Sequence, residues 1–202
     1  ADESAISRKH RVVREGRTRR VITIAGGKLT TYRNMAKDAV DEACKAIGIK
    51  ARCVTDVRPL AGNLSMDYEG YVREAAPELA ARHKVSPELV LHLTGLYGSR
   101  ASRVLELMET DALLGETISP ESRDIYAQVA YSVRQEGART LSDIILRRMH
   151  VGTTPSRGLG QIERIAQLAG RELRWGEDEK RHQVEEFKRE LRKETECLLI
   201  KE

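Results

Sequence analysis

Residues 21–36 read VITIAGGKLTTYRNMA. A β-favouring run breaks at two glycines, continues through a lysine and two threonines, and becomes helix-like. A strand, a glycine turn and a helix start present backbone N–H groups to an anion. Gly26 and Gly27 permit positive φ and close backbone approach. The N–H groups of about Lys28 to Thr30 point out of the helix start, where the dipole favours negative charge. Lys28 adds a full positive charge beside them. The spacing is neither GxxxxGK[ST] nor GxGxxG, so neither nucleotide-binding loop is present. A phosphate, a carboxylate or the electron-rich carbonyl of a bound ring suits such a turn. For a bare GGK, an ordinary β-to-α turn is the plainer reading.

Working outward, RKHRVV (8–13) and RRVITIA (19–25) read as two strands joined by the turn-like EGRT. A two-stranded ribbon is marginal alone, so this one is expected to need a sheet that the chain does not contain. After the turn, Tyr32, Met35, Ala36, Ala39, Val40, Ala43 and Ile47 recur at helical spacing, predicting a helix from about Thr30 to Ile47. Gly48 stops it. Residues 49–64, IKARCVTDVRPLAGNL, form a Pro- and Gly-punctuated connector and the expected domain boundary.

Beyond the connector the pattern is helical almost to the end. A helix capped by Ser65 or Asp67 is expected to break at Pro77. Ser86, Pro87 and Glu88 start another, which ends at Gly95 or Gly98. A short helix follows in SRASRVLELMET, and Ser119-Pro120 is read as the start of the next. Thr140 or Ser142 caps TLSDIILRRMHVG. Two last helices, 158–173 and 177–199, are joined at Trp175-Gly176. The fold class is therefore mainly α: a helical domain over 65–202, preceded by a β-ribbon and a helix over 1–48.

Composition narrows the function. The 202 residues are 40% apolar and 33% charged, a globular balance, and no run reaches the roughly 18 apolar residues of a membrane helix. One Trp and one Phe leave the core to Leu, Ile, Val and Ala. The opening ADESAISRKH has no apolar stretch of a signal peptide, and a chain that opens in such a polar stretch is expected to be cut from a longer one. Residues 1–33 carry nine basic and three acidic residues, which is +6 of the total +4 and leaves −2 for the rest. A basic arm this local suggests a small anionic ligand or an acidic partner rather than a nucleic-acid face.

Cys44, Cys53 and Cys197 are odd in number with no CxxC, so no metal site is expected and reduced thiols are the reading. His92, in an apolar helix, reads as a satisfied core histidine. His83, His150 and His182 have no acid or cysteine at ligand spacing. Arg134, Glu136, Arg139, Arg147 and Arg148 read as surface ion pairing worth little. Helix 177–199 carries mixed charges and a thin stripe of Val184, Phe187, Leu191 and Leu198, as a docking helix would.

GGKLTTYRNMAKDAVD resembles the C-terminal signature of FAD-dependent, aerobic-type glycerol-3-phosphate dehydrogenases. ISRKH (6–10) is similar to the Ser/Thr-Arg-acid-aromatic stretch that precedes it in that family. RPLAGN, LYGSRA and YAQVAYSVRQEGARTLSDIILRRMHVG resemble the family's helical C-terminal domain. The resemblance implies an oxidoreductase that converts sn-glycerol 3-phosphate to dihydroxyacetone phosphate, reduces FAD and passes electrons to quinone. It implies a cytoplasmic, membrane-associated flavoprotein of glycerol metabolism, peripheral at the inner membrane. It places Gly26, Gly27, Lys28, Leu29 and Thr30 against the cofactor. Lys28 is then the catalytic group and, with Arg8, binds substrate.

The sequence departs from the family in two ways. The family's N-terminal GxGxxG fold and upstream substrate residues are not in this sequence, and Lys9 stands where the family often has an acid. The chain is thus expected to be a C-terminal portion whose partner is its own N-terminal FAD domain, with a homodimer possible. Alone it is expected to bind neither FAD nor substrate well and not to turn over. The alternative is a free-standing helical interaction module whose basic arm binds an acidic partner or nucleic acid.

Overall fold

The computed structural model describes residues 9–16, 21–64 and 67–199, with side chains described as far as residue 194. The chain divides into two compact units, residues 1–60 and 61–202.

In the front unit β1 (Arg11–Glu15) and β2 (Val21–Ala25) pair antiparallel, with Val13 opposite Thr23. After Lys28, one 3-10 turn (Leu29–Thr31) leads into α1 (Tyr32–Ala46). Alternation along β1 turns Val12 and Arg14 toward α1 and leaves Arg11, Val13 and Glu15 exposed. His10 and Arg14 lie four residues apart on the strand side, and Asp38 and Glu42 one turn apart on the helix. They meet as two pairs: His10 Nε2 to Asp38 Oδ2 at 2.7 Å, and Arg14 Nε to Glu42 Oε2 at 3.2 Å. Arg14 also donates to the Glu42 carbonyl at 2.9 Å. Polar ties thus do what a core does elsewhere, because no described residue of this unit is buried.

The second unit is all helix: α2 (Tyr68–His83), α3 (Pro87–Tyr97), α4 (Ala101–Met108), α5 (Tyr126–Glu136), α6 (Leu141–Arg148), α7 (Ile162–Leu173) and α8 (Glu177–Leu199). Its one hydrophobic core is built from Leu, Ile, Val and Ala with Tyr126, Tyr131 and Phe187. α5 runs through the middle, its residues 126–132 all buried. α8 lays Val184, Phe187 and Leu191 on the core, the docking role expected of it.

Side-chain caps set three helix starts. The Asp67 carboxylate accepts from Gly70 N at 2.6 Å, and Ser86 Oγ accepts from Leu89 N at 3.2 Å ahead of Pro87. Thr140 and Asp143 exchange bonds in a capping box, Asp143 N to Thr140 Oγ1 at 3.0 Å and Thr140 N to Asp143 Oδ2 at 3.1 Å.

Two boundaries differ from the sequence reading. Pro77 does not break α2, which continues to His83. The carbonyl that Pro77 leaves unbonded belongs to Arg73, an exposed residue, while Tyr71, Ala76 and Ala80 hold the helix on the core. Ser119-Pro120 does not start a helix. Ser119 Oγ accepts from Glu121 N, and a bridge between Thr117 and Ile125 closes residues 116–126 into a loop. α5 begins only at Tyr126, where Gln128 Oε1 accepts from Ile125 N at 2.9 Å.

That loop carries Asp124 into the core, with none of its surface exposed. His92 Nε2 lies 2.8 Å from Oδ1, Gln128 Nε2 donates to Oδ1 at 3.1 Å, and Val151 N donates to Oδ2 at 2.6 Å. Burial pushes this carboxyl up, but the bonds from His92, Val151 and Gln128 outweigh it and hold it below the usual range. Arg148, read as a surface pair, is instead a tie: it donates to the Asp143 carbonyl at 2.8 Å and the Glu136 carbonyl at 3.1 Å. His83 does have an acidic neighbour, Glu109, at 3.0 Å.

Gly98 joins the α3–α4 corner to the start of the unit. Its φ and ψ, 57° and −133°, suit glycine alone, and a Cβ there would stand 1.8 Å from the Gly62 carbonyl oxygen. Gly98→Ala is expected to cost about 3 kcal/mol or more by urea unfolding, from strain plus a backbone collision. Gly95→Ala, in open space on α3, is expected to stabilise by about 0.5–1 kcal/mol.

Candidate functional site

The glycine–lysine turn is built by three neighbours. Gly26 and Gly27 have φ of 73° and 90°, where a side chain is strained. A Cβ on Gly26 would meet the Lys9 carbonyl oxygen at 3.2 Å. One on Gly27 would meet Met35 Sδ at 2.8 Å and His10 Cβ at 3.1 Å. The glycines therefore let the chain pass tightly between the start of β1 and the first turn of α1. His10, held by Asp38, forms one wall, and Met35 forms the other. Sequence reasoning missed that pairing. The signal was there, in a basic pair and an acidic pair both spaced by four.

Lys28 leaves the turn extended, with φ −87° and ψ 142°. Its carbonyl accepts from both Thr31 N at 2.9 Å and Thr31 Oγ1 at 2.8 Å. Thr31, not Thr30, thus closes the first turn, and the N–H groups of Leu29 and Thr30 precede its first bond. Gly26, Gly27, Lys28, Leu29 and Thr30 are all exposed, and Leu29 is 87% exposed. Among the described residues no carboxylate lies within ion-pair distance of Lys28. The acids of α1 are engaged elsewhere: Asp41 by Lys37 at 2.8 Å and Glu42 by Lys45 at 2.6 Å. Those bonds hold the Glu42 carboxyl below the usual range and raise Lys37. Gly26 to Thr30 thus lie along one exposed edge, and among the described residues the Lys28 ammonium has no carboxylate partner. Arg8 lies outside the described residues.

Chemically this edge, backed by His10 and Met35, can receive negative charge on a flat or small group. Cys44 and Cys53 are unbridged. Among the described residues there is no cluster of His, Cys, Asp and Glu suited to a metal, and no helix long and apolar enough to cross a membrane. Among the described residues of the helical unit, burial holds the Glu136 carboxyl above its usual range: Arg148 approaches it at 3.7 Å, but that guanidinium is spent on backbone carbonyls.

A ribbon with a glycine–lysine turn and a helical domain make up the chain, and the helical domain places it in a known family. The family model for the C-terminal domain of alpha-glycerophosphate oxidase matches residues 53–180. That is well over half of the chain, which belongs to this family. Glycerol-3-phosphate dehydrogenase 2 of Mycobacterium tuberculosis (strain ATCC 25618 / H37Rv) is 33% identical over 175 residues, covering 86% of this chain and 29% of that protein. The mitochondrial glycerol-3-phosphate dehydrogenase of Mesocricetus auratus is 35% identical over 192 residues, covering 92% and 25%. Among solved structures, the glycerol-3-phosphate dehydrogenase of Bacillus halodurans complexed with FAD superposes with a TM-score of 0.66 at 29% identity, over 84% of this chain and 35% of that one. The chain spans about a quarter to a third of the length of these relatives.

Gly27→Ala is expected to cost the front unit more than Gly48→Ala. Both have positive φ, but only Gly27 also collides, since nothing lies within 4 Å of a Cβ at Gly48. Strain alone costs about 1 kcal/mol. The amide shifts of residues 11–15 and 21–25 should collapse in the first variant and persist in the second.

Proposed function

We propose that this chain supplies the C-terminal part of an FAD-dependent glycerol-3-phosphate dehydrogenase, which oxidises sn-glycerol 3-phosphate to dihydroxyacetone phosphate and passes electrons to quinone. The observation that carries the proposal is the front unit. It offers an anion-receiving edge yet buries none of its described residues, and it exposes Val13, Val21, Leu29, Tyr32, Val40, Ile47, Val57 and Leu60. Such a surface is expected where more polypeptide packs. The relatives are three to four times longer, and their names supply the activity.

Bound FAD would supply the two-electron redox chemistry. The residues present suit one edge of it: Gly26 and Gly27 allow a tight passage, and Lys28, Leu29 and Thr30 after them are exposed. In this reading, the Lys28–Thr30 amides and Leu29 contact the flavin ring, and their N–H groups stabilise negative charge on it. Lys28 extends its ammonium to the substrate or ring, and Arg8 holds the substrate phosphate. The parent enzyme would sit peripherally at the inner membrane, on its cytoplasmic side, with the N-terminal FAD domain and a possible second copy as partners.

Fusing this chain to the N-terminal portion of the Bacillus halodurans relative tests the reading. The fusion should be yellow and reduce dye with glycerol 3-phosphate, while the chain alone should be colourless and inactive. Lys28→Ala in the fusion should lower kcat/KM by about 10²–10³-fold. A folded, flavin-loaded fusion indifferent to Lys28→Ala would refute the site. An inactive fusion, with salt-dependent polyanion binding by the chain alone, would favour a basic interaction arm.

A further inference from the structure

The bond between His10 and Asp38 lies at the glycine turn itself. A Cβ on Gly27 would meet His10 Cβ at 3.1 Å, and one on Gly26 would lie 3.9 Å from His10 Cα. Met35, one turn before Asp38 on α1, closes the passage from the other side, its Sδ 2.8 Å from the same Gly27 position. His10 Nε2 lies 2.7 Å from Asp38 Oδ2, and the imidazole is 20% exposed. This bond therefore sets how far the start of β1 stands from the first turns of α1, and Gly26 and Gly27 thread that gap. Arg14–Glu42 is a second tie between ribbon and helix, one turn further along α1.

We propose that His10, fixed by Asp38, is a positioning residue: it holds the Gly26–Thr30 edge where that edge meets the flavin ring. The inference rests on the flavin-enzyme reading and adds to it a residue that acts through the turn. No described residue of this unit is buried, so no apolar core fixes the turn, and two successive glycines widen the range of conformations open to it. A rigid ring on one side narrows that range. An ionised carboxylate only accepts, so Nε2 carries the proton and Asp38 sets both the tautomer and the orientation of the ring. Lys37 Nζ is 4.0 Å from the other Asp38 oxygen and bonds Asp41 at 2.8 Å, which leaves Oδ2 to His10. Misplacing a reacting group by about 1 Å costs about 10²-fold in rate, so a tie of this kind matters far more to turnover than to stability.

The test compares Asp38→Ala, Asp38→Asn and Glu42→Ala. In the ¹⁵N-labelled full chain, Asp38→Ala should move the amide signals of Gly26, Gly27 and Lys28, while those of residues 11–15 and 21–24 stay dispersed. Asp38→Asn, whose amide oxygen still accepts from His10, should keep the turn signals in place. Glu42→Ala, which removes the second carboxylate, should also leave them in place. In the fusion to the Bacillus halodurans N-terminal portion, Asp38→Ala should weaken flavin binding about tenfold and lower kcat about 10²-fold, with KM for glycerol 3-phosphate within about twofold. Asp38→Asn should recover flavin binding and kcat. Unmoved turn signals in Asp38→Ala, moved ones in Asp38→Asn, or collapse of the ribbon signals in Asp38→Ala would overturn the proposal. So would a fusion whose flavin binding and kcat ignore Asp38→Ala. A colourless wild-type fusion would instead refute the flavin-enzyme reading, and the shifts of the chain alone would still decide whether the pair places the turn.

Discussion

The helical unit depends on one buried carboxylate. Asp124 bonds His92 on α3, Gln128 on α5 and the amide of Val151 after α6. Three segments distant in sequence thus share one charge with no access to water. Gln128 extends the network, donating to Tyr97 Oη at 3.3 Å, and His150 stacks edge-on against His92 at 5.0 Å. A buried charge with partners on every side is tolerated, whereas one stripped of a partner costs about 3–5 kcal/mol. The apolar core supplies the bulk of the burial. The carboxylate selects the arrangement in which the loop before α5 and the turn after α6 close on the same point.

The front unit is organised by the opposite logic. A His10–Asp38 hydrogen bond and an Arg14–Glu42 ion pair, both part-buried, join the strand side to α1, and such contacts contribute about 1 kcal/mol each. Without buried residues, little else opposes the entropy of ordering the ribbon. The glycine turn is well shaped and poorly supported. The family match covers residues 53–180, in and beside the helical unit, and does not reach this turn.

Much of this was legible in the sequence, and what was not has a physical reason. The start signals at Ser86-Pro87 and Thr140 are local, since cap and recipient lie within one turn, and they read correctly. The helical core with few aromatics also followed from composition. Pro77 misled because its cost depends on whether the orphaned carbonyl meets water, which sequence does not state. Ser119-Pro120 looked like Ser86-Pro87, but tertiary closure of residues 116–126 outweighed local preference. Nothing local distinguishes Asp124, which is buried, from Asp111 or Asp143, which cap helices. At the turn, the glycines, Lys28 and Thr30 were visible, while the walls formed by His10 and Met35 depend on strand-to-helix packing. That Arg148 ties two helix ends was equally invisible, because its acceptors are carbonyls.

The central claim is that the chain joins a self-sufficient helical unit to a turn-bearing unit in which no described residue is buried. Native-state hydrogen exchange on the chain tests it directly. The account predicts that amides of α3, α5, α6 and α7 exchange slowest, with a common opening free energy near that of global unfolding. Amides of β1, β2 and α1 should exchange orders of magnitude faster under the same conditions. Protection at Val12, Arg14 and Val40 equal to that at Val129 and Ile165 would contradict it, because the front unit would then be stable without any further polypeptide.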